Sequence, residues 1–299
     1  MEANRSYFGK DTGFETQLYL IDQIYGFDFT AYNRSTVIPQ VLMRMRANSI
    51  ESLEEYMDYL ATHSDEFALL FNAILVHITA FFRDVGEWHA LSEEALPRII
   101  SGKRSNEPIR VWSAGCSSGE EVYTIAILLA EALGMDAFRK NVRIFATDID
   151  GEALAKGRRA VYSEKAVATI SEELRSKYFS KFINGYVVRS ELRDRVIFGR
   201  HDLLQDPPFS NIDLISCRNT LIFFKSKEQD RIFAKFHFAL KNTGFLFLGK
   251  SETILKHGLF RPVNSQHRIY LKLPAGASKV HWTDWIQNGE FGAKDQPQY

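Results

Sequence analysis

The chain has 299 residues, of which 45% are hydrophobic and 25% are charged, a composition typical of a globular protein with one large or two modest domains. Lys plus Arg and Asp plus Glu are equal at 37 each, so net charge gives no support to nucleic-acid binding. No apolar run approaches the roughly 18–20 residues of a membrane span, and the start of the chain lacks the apolar core of a secretory signal. Two cysteines predict no disulfide framework, and eight scattered histidines predict no metal site.

Residues 15 to about 80 have the apolar spacing of helices only. Ser49 is the predicted N-cap of one helix, and the helical pattern continues through DEFALLFNAILVHITAFF, as far as Phe82. One face of the helix after Ser49 is formed by Leu53, Tyr56, Met57 and Leu60. Acidic residues dominate this segment, with nine Asp or Glu against three arginines.

A connecting helix is predicted within 84–108, and after it the pattern changes to short β-rich runs that alternate with helical stretches. The predicted strands are IRVWSA, VRIFATDID, IDLISCR and GFLFLG, and the predicted helices are 120–134, 151–158 and 226–241. This alternation indicates a parallel sheet with helices on both faces. Residues 185–199 interrupt the alternation and predict an inserted hairpin, with Gly185 and SELRD at its turns.

Polar residues follow four of the predicted strands, where an open parallel sheet binds its ligands. Those singled out are Ala114, Gly115, Glu120, Asp148, Asp202, Leu203, Arg218 and Asn219. The loop at 114–121 joins a strand to a helix, as phosphate-binding loops do, but it lacks the phosphate and dinucleotide fingerprints. It ends in two glutamates, which would repel a phosphate and attract a cation.

S-adenosylmethionine (SAM) satisfies these features together, because it carries a ribose, an ammonium and a sulfonium but no phosphate. Asp148 ends the second strand where an acid binds ribose hydroxyls. The alternative interpretation of Asp148 is the N-cap of the helix GEALAKG.

Six motifs resemble, in order and spacing, those of the CheR-type chemotaxis receptor methyltransferases. They are ITAFFRD, VWSAGCSSGEE, ATDID, LLQDPPF, DLISCRN and GFLFLGKSET, and the resemblance covers about residues 15 to 275. It implies that SAM donates a methyl group to glutamate side chains of chemoreceptors, giving a glutamyl methyl ester and S-adenosylhomocysteine. It also implies a monomer that binds a chemoreceptor cytoplasmic domain or a related signalling protein. Composition adds the expectation of a cytoplasmic protein, because two cysteines form no disulfide framework, without nucleic-acid binding or membrane insertion.

The fold implied is α/β, with a small all-α N-terminal domain before a Rossmann-like class I SAM-dependent methyltransferase domain that carries an inserted antiparallel β-subdomain. We expect the helical domain at 15–80, the methyltransferase domain at 81–275 with its β-subdomain at about 174–200, and a tail at 276–299.

The resemblance also implies cofactor-binding residues. His77, Thr79 and Arg83 stand at the family's N-x-T-x-F-F-R positions, with His77 in place of Asn. Glu120 corresponds to the glutamate near the methionine amino group, and Asp148 to the ribose-binding acid. The family's Asn-Leu pair becomes Asp202-Leu203, and Arg218 and Asn219 match. Because Asp only accepts hydrogen bonds, a donor contact made by that Asn is lost here.

Two residues are implied in catalysis. Arg83 is the candidate for holding the incoming carboxylate. Phe223 replaces the family tyrosine that lies near the transferred methyl group, so a hydroxyl is missing there. Removal of one oxyanion-hole donor lowers the rate of an enzyme about 10²–10³-fold, and we expect the missing hydroxyl to lower the rate of methyl transfer by no more than that.

Two other functions stay open. A SAM- or S-adenosylhomocysteine-binding regulatory module with weak or no turnover is favoured by Phe223, His77 and Asp202. Methylation of a small acid or another protein is a weaker alternative, and the hairpin predicted at 185–198 argues against a small substrate. A dehydrogenase is disfavoured because the dinucleotide fingerprint is absent.

Overall fold

The computed structural model describes residues 12–75, 78–104, 107–254 and 258–274. His77 and the predicted tail at 276–299 lie outside these described residues. Among the helices that are described, none is both long and apolar enough to cross a membrane.

Helices make up the N-terminal part of the chain, as predicted. They are α1 Thr12–Tyr25, a 3₁₀ helix Phe29–Ala31, α2 Arg34–Ala47, α3 Leu53–Thr62 and α4 Ser64–Ile74. The predicted cap Ser49 is wrong: its φ of 58° places it in the left-handed region, and the side chain that caps α3 is Ser52, which accepts from Glu55 N. The predicted extension to Phe82 is also wrong, because α4 ends at Ile74.

The predicted connecting helix is confirmed within residues 85–101, as α5 Val85–Ala90, a π turn Leu91–Ala95 and α6 Leu96–Ser101. The π turn comes directly before Pro97, which lacks an N–H group for the helical ladder and occupies the first turn of α6.

Ten strands and eight further helices are described beyond this point. The strands are β1 Ile109–Ala114, β2 Val142–Asp148, β3 Val161–Tyr162, β4 Phe179–Phe182, β5 Gly185–Val188, β6 Val196–Arg200, β7 Ile212–Cys217, β8 Leu240–Leu248, β9 Phe260–Asn264 and β10 Ile269–Lys272. The helices are α7 Glu120–Leu133, α8 Met135–Asn141, α9 Gly151–Arg159, α10 Glu164–Val167, α11 Glu172–Tyr178, α12 Ser190–Arg193, a 3₁₀ helix Leu221–Phe223 and α13 Ser226–Ala239.

Seven strands form one sheet in the order β6-β2-β1-β7-β8-β10-β9. The first five are mutually parallel, and β10 pairs antiparallel with both of its neighbours, β8 and β9. Strand order therefore reverses between β1 and β7, and this switch point lies at the centre of the sheet. Ligands of open α/β sheets bind at the carboxyl ends of strands at such a point.

The hairpin predicted at 185–199 is wrong, because its two strands belong to different sheets. β5 pairs antiparallel with β3 and β4 in a separate three-stranded sheet. β6 instead pairs parallel with β2, from Ile144↔Val196 to Asp148↔Arg200. The SELRD segment forms α12, and it carries the chain from one sheet to the other.

Buried apolar residues form two clusters, one on each face of the large sheet. One cluster joins sheet residues such as Val111 to Trp88 and Tyr123 from the surrounding helices. The other joins Trp112 to Val41 of α2. The N-terminal helices therefore share a continuous core with the sheet, and residues of both parts can line one cavity.

Candidate functional site

A cavity of about 920 Å³, including its open mouth, lies at the carboxyl ends of β1, β2 and β7. Nine of the residues singled out in the sequence line it together: Thr79, Arg83, Gly115, Asp148, Asp202, Leu203, Arg218, Asn219 and Phe223. The rule that places ligands at a topological switch point thus leads to this one cavity.

Two of the sequence-predicted residues do not line this cavity. Ala114 is fully buried at the end of β1. Glu120 is buried as well, and its carboxylate accepts from the Ser118 hydroxyl at 2.8 Å. Burial raises the pKa of Glu120, and this effect outweighs the Ser118 hydrogen bond. The position of His77 is outside the described residues.

The glutamate at the cavity is Glu121, and the choice of Glu120 is corrected accordingly. Successive residues of a helix point about 100° apart, so only one of two adjacent glutamates can face a given cavity. The Oε1 atom of Glu121 accepts from Ser216 Oγ at 2.7 Å and from Ser113 Oγ at 3.0 Å. Its Oε2 atom lies 3.6 Å from Nη1 of Arg218.

The glycine loop is closed by backbone hydrogen bonds to β2. The amides of Gly115 and Cys116 donate to the Thr147 carbonyl at 2.8 and 2.9 Å. Gly115 has a φ of +75°, and a Cβ atom there would lie 2.3 Å from Thr220 Oγ1. Glycine is therefore required both by the left-handed backbone and by the close approach of the next strand's loop.

Asp148 connects β2 to the glycine loop. Its Oδ2 accepts from Ser117 N at 2.7 Å, and its Oδ1 accepts from Asp150 N at 3.0 Å. The N-cap of α9 is Asp150, whose Oδ1 accepts from Glu152 N and Ala153 N. The alternative interpretation of Asp148 as that cap is therefore wrong, and its carboxylate lines the cavity instead.

Asp202 lies in a turn held by its own side chain. Its Oδ1 accepts from Leu204 N at 2.8 Å, and its backbone N donates to Asp206 Oδ2 at 2.8 Å. Lys235 of α13 fixes the same turn from outside, because its Nζ donates to the carbonyls of Leu204 and Asp206 at 2.6 and 2.8 Å.

The two cavity arginines have different surroundings. Arg218 is buried, and its guanidinium lies 4.6 Å from the ring centroid of Trp88 and 3.1 Å from Asp84. Arg83 is half-buried and donates to the Ile78 carbonyl at 2.6 Å. Within the described residues, no carboxylate pairs with Arg83. Its charge is thus available to an incoming anion, whereas that of Arg218 is balanced by protein carboxylates.

Glu252 was not expected from the sequence, yet it determines the shape of the segment after β7. Its buried carboxylate accepts from four backbone amides, at 2.7–2.9 Å. The donors are Asn219, Thr220, Leu221 and Gly249. Burial nevertheless raises the pKa of Glu252, since it outweighs these amides. Only the tertiary structure reveals this role, because 31–33 residues separate Glu252 from three of its donors.

Further cavity residues were missed because they come from distant segments or are apolar. They include Tyr32 and Leu75 from the helical part, and Ile149, His201, Thr220 and Phe224 from the sheet part. Cys116 also lines the cavity, and burial raises its thiol pKa well above the usual value. It therefore stays protonated, as expected of a small buried residue rather than a reactive thiol.

Sequence similarity to curated relatives extends along most of the chain. A chemotaxis protein methyltransferase of Salmonella typhimurium is 36% identical over 253 residues, covering 81% of this chain and 84% of that protein. The corresponding protein of Listeria innocua is 31% identical, covering 83% of this chain and 92% of its own. An uncharacterised 104.1 kDa protein of Rhodobacter capsulatus is 32% identical over 254 residues, which are 85% of this chain but 27% of that protein. This chain therefore spans about a quarter of the last relative.

Solved structures overlap less. A SAM-dependent methyltransferase from Mesorhizobium loti covers 54% of this chain and is itself covered to 54%, with 15% identity and a TM-score of 0.29. Identity and structural overlap this low say nothing about the function of this chain.

Two family domains match consecutive parts of the chain. Residues 12–75 match the CheR methyltransferase all-alpha domain, and residues 77–269 match the CheR methyltransferase SAM binding domain. The second match alone covers more than half of the chain and includes the cavity residues at the strand ends. The chain belongs to the CheR methyltransferase family.

Proposed function

We propose that this protein transfers the methyl group of SAM to glutamate side chains of a chemoreceptor cytoplasmic domain, as a cytoplasmic monomer. The products are a glutamyl methyl ester and S-adenosylhomocysteine. The observation that carries the proposal is Arg83: a half-buried guanidinium at the SAM cavity, without a carboxylate partner among the described residues.

The residues of the cavity fit SAM. Of the described residues, three carboxylates line it, those of Glu121, Asp148 and Asp202, and no lysine does. One of the two arginines, Arg218, has its charge balanced by Asp84 and Glu121. A cationic nucleoside therefore matches this charge distribution better than a pyrophosphate does. We assign Asp148 to the ribose and Glu121 to the amino group, with Thr79, Gly115, Leu203 and Asn219 as further contacts.

Methyl transfer to a carboxylate needs no general base. Glutamate has an unperturbed pKa of about 4.3, so the acceptor is already ionised at neutral pH. Bound SAM supplies an electrophilic methyl group on a sulfonium. A carboxylate oxygen bonds to the methyl carbon while the carbon–sulfur bond breaks and leaves its electron pair on sulfur.

The protein's contribution is alignment and exclusion of water. Arg83 holds the incoming carboxylate by charge-assisted hydrogen bonds. Phe223 supplies an apolar wall of the cavity in place of a phenol. Charge disperses as the anion meets the sulfonium, so this dry, apolar surface favours the transfer.

Receptor recognition by the helical part needs a separate test. Arg34 pairs with Glu15 at 2.9 Å, and Arg44 pairs with Glu66 at 2.6 Å. These arginines therefore stabilise the helices and offer little net charge to an acidic receptor segment. Arg46 is exposed on α2.

The proposal is tested by incubating the protein with SAM labelled with tritium in the methyl group and with cytoplasmic receptor fragments. We expect label on the receptor that is released as methanol by mild base, as from a methyl ester. The Arg83→Lys variant should lower this transfer, since one ammonium cannot reproduce the planar guanidinium contact. Absence of base-labile label on every cognate receptor, despite bound SAM, would contradict the proposal.

The second candidate is a regulatory module that binds SAM or S-adenosylhomocysteine without turning it over. The observation in its favour is Phe223, which lines the cavity without a hydroxyl. The same assay distinguishes the two functions, because a regulatory module would bind the cofactor and leave the receptor unlabelled.

A further inference from the structure

Tyr32 brings a phenol from the helical part into the cavity. It lies immediately after the 3₁₀ helix Phe29–Ala31 and is only 6% exposed, yet it lines the cavity. Among the described residues its hydroxyl has no hydrogen-bond partner. A molecule bound in the cavity can supply the partner that the described residues do not.

The position of Tyr32 is fixed by contacts between residues 31–33 of the helical part and residues 223–225 of the sheet part. Asn33 N donates to Phe223 O at 2.7 Å, and Lys225 N donates to Ala31 O at 2.9 Å. The Tyr32 ring lies 4.8 Å from that of Phe224, centroid to centroid. The phenol is thus held by backbone contacts on both sides, and its hydroxyl is presented to the cavity without a loop movement.

The charges around the hydroxyl show which end of the cavity it faces. Burial raises the pKa of Tyr32, and the cavity carboxylates that add to this increase are Asp202 and Asp148. Asp28, outside the cavity, raises it as well. Asp148 and Asp202 line the same cavity as Tyr32, at the end that we assign to the nucleoside, and the phenol keeps its proton at neutral pH.

The two carboxylates at this end cannot donate to an acceptor atom of the nucleoside. Carboxylates such as Asp148 and Asp202 only accept hydrogen bonds. The ring nitrogens of adenine and the oxygens of ribose are acceptors that need a donor. We propose that the Tyr32 hydroxyl donates a hydrogen bond to the nucleoside half of SAM, so that the N-terminal helices form part of the cofactor site. The inference rests on the SAM site of the proposed function, but not on the identity of the methyl acceptor.

The test is titration calorimetry of the full chain with SAM, S-adenosylhomocysteine and 5′-methylthioadenosine, which lacks the amino-acid part. Tyr32→Phe should weaken all three by a similar factor, about 3- to 10-fold, as expected for one lost hydrogen bond. Tyr59→Phe is the matched control, because Tyr59 belongs to the same helical part but does not line the cavity. It should change each affinity by less than about 2-fold.

Unchanged affinities in Tyr32→Phe, with an unchanged melting temperature, would overturn the inference. So would a loss confined to SAM and S-adenosylhomocysteine, which would place the hydroxyl at the amino-acid end. Failure of receptor methylation with these affinities intact would contradict the proposed function alone, and the calorimetry would still decide the role of Tyr32.

Discussion

Glu121, which is half-buried, pairs with the buried Arg218 in the wall of the cavity, with Oε2 and Nη1 3.6 Å apart. The other carboxylate oxygen of Glu121 accepts from two serine hydroxyls. The carboxylate is therefore oriented before any ligand arrives. A pre-oriented carboxylate costs little to organise on binding, which makes it an effective partner for an ammonium group.

Glu121→Gln should weaken SAM and S-adenosylhomocysteine about 10- to 100-fold, because one charge-assisted hydrogen bond to the ammonium is lost. Binding of 5′-methylthioadenosine should change by less than about 3-fold, since it has no ammonium. Titration calorimetry measures all three. Glu120→Gln is the control, because its carboxylate bonds to Ser118 outside the cavity. Equal losses in the two variants would contradict the assignment to Glu121.

The sequence predicts the alternation of strands and helices because the spacing of apolar residues within a short segment is enough to indicate a helix or a strand. It also predicts the location of the site, because parallel strands all end at one edge. It does not show which of two adjacent glutamates faces the cavity, since that depends on how α7 is rotated against the sheet. For this reason the structure places Glu121, and not the predicted Glu120, at the cavity.

Non-local pairing explains the other differences. Nothing within residues 185–199 shows that β5 and β6 pair with different sheets, because that depends on β2 and β4, which lie elsewhere in the chain. Tyr32 enters the cavity only because the helical part shares a core with the sheet. The domain boundaries at 80 and 275 stay predictions.

Phe223→Tyr should increase methyl transfer if the protein is an enzyme weakened by the missing phenol, by up to about 10²-fold. Phe223 is half-buried at the cavity, so a hydroxyl added to its ring could reach the reacting groups. Single-turnover transfer of labelled methyl to a receptor fragment measures the change. Phe238→Tyr is the control, because Phe238 is 66% exposed on α13. No gain, with SAM binding retained, favours the regulatory module.

Gly115→Ala should destabilise the protein by about 2–5 kcal/mol. A positive φ costs a Cβ-bearing residue roughly 1–2 kcal/mol, and forcing Cβ against Thr220 adds about 1–3 kcal/mol of overpacking. Gly26→Ala is the control, because Gly26 also has a positive φ, +67°, but a Cβ atom added there would meet nothing within 4 Å. It should lose only the backbone contribution.

Urea denaturation of both variants measures this difference, and calorimetry with SAM gives a second readout. The displaced glycine loop of Gly115→Ala should also bind SAM more weakly, while Gly26→Ala, away from the cavity, should bind it normally. Equal losses of stability in the two variants would mean that Thr220 moves away from the added Cβ atom without a loss of free energy, and would contradict the prediction.

Lys235 should make stability depend on alkaline pH. Burial lowers its pKa to about 8, an effect that Asp202 and Asp206 only partly offset. In the unfolded chain a lysine titrates near 10.4. Between these two pH values the unfolded state binds the extra proton, so the Lys235 contribution to the free energy of unfolding rises with pH. Below about pH 8 that contribution is constant and at its lowest.

The measurement is urea denaturation of the wild type and of Lys235→Met from pH 7.5 to 10.5. The free energy of unfolding of the wild type minus that of the variant should increase with pH, by on the order of 1 kcal/mol because solvent screens part of the shift. Lys227→Met, on the exposed side of the same helix, controls for the loss of one positive charge. A difference that stays constant or falls would show that Lys235 remains charged in its contacts with Leu204 and Asp206, and that the Asp202 turn is held by an ammonium throughout this range.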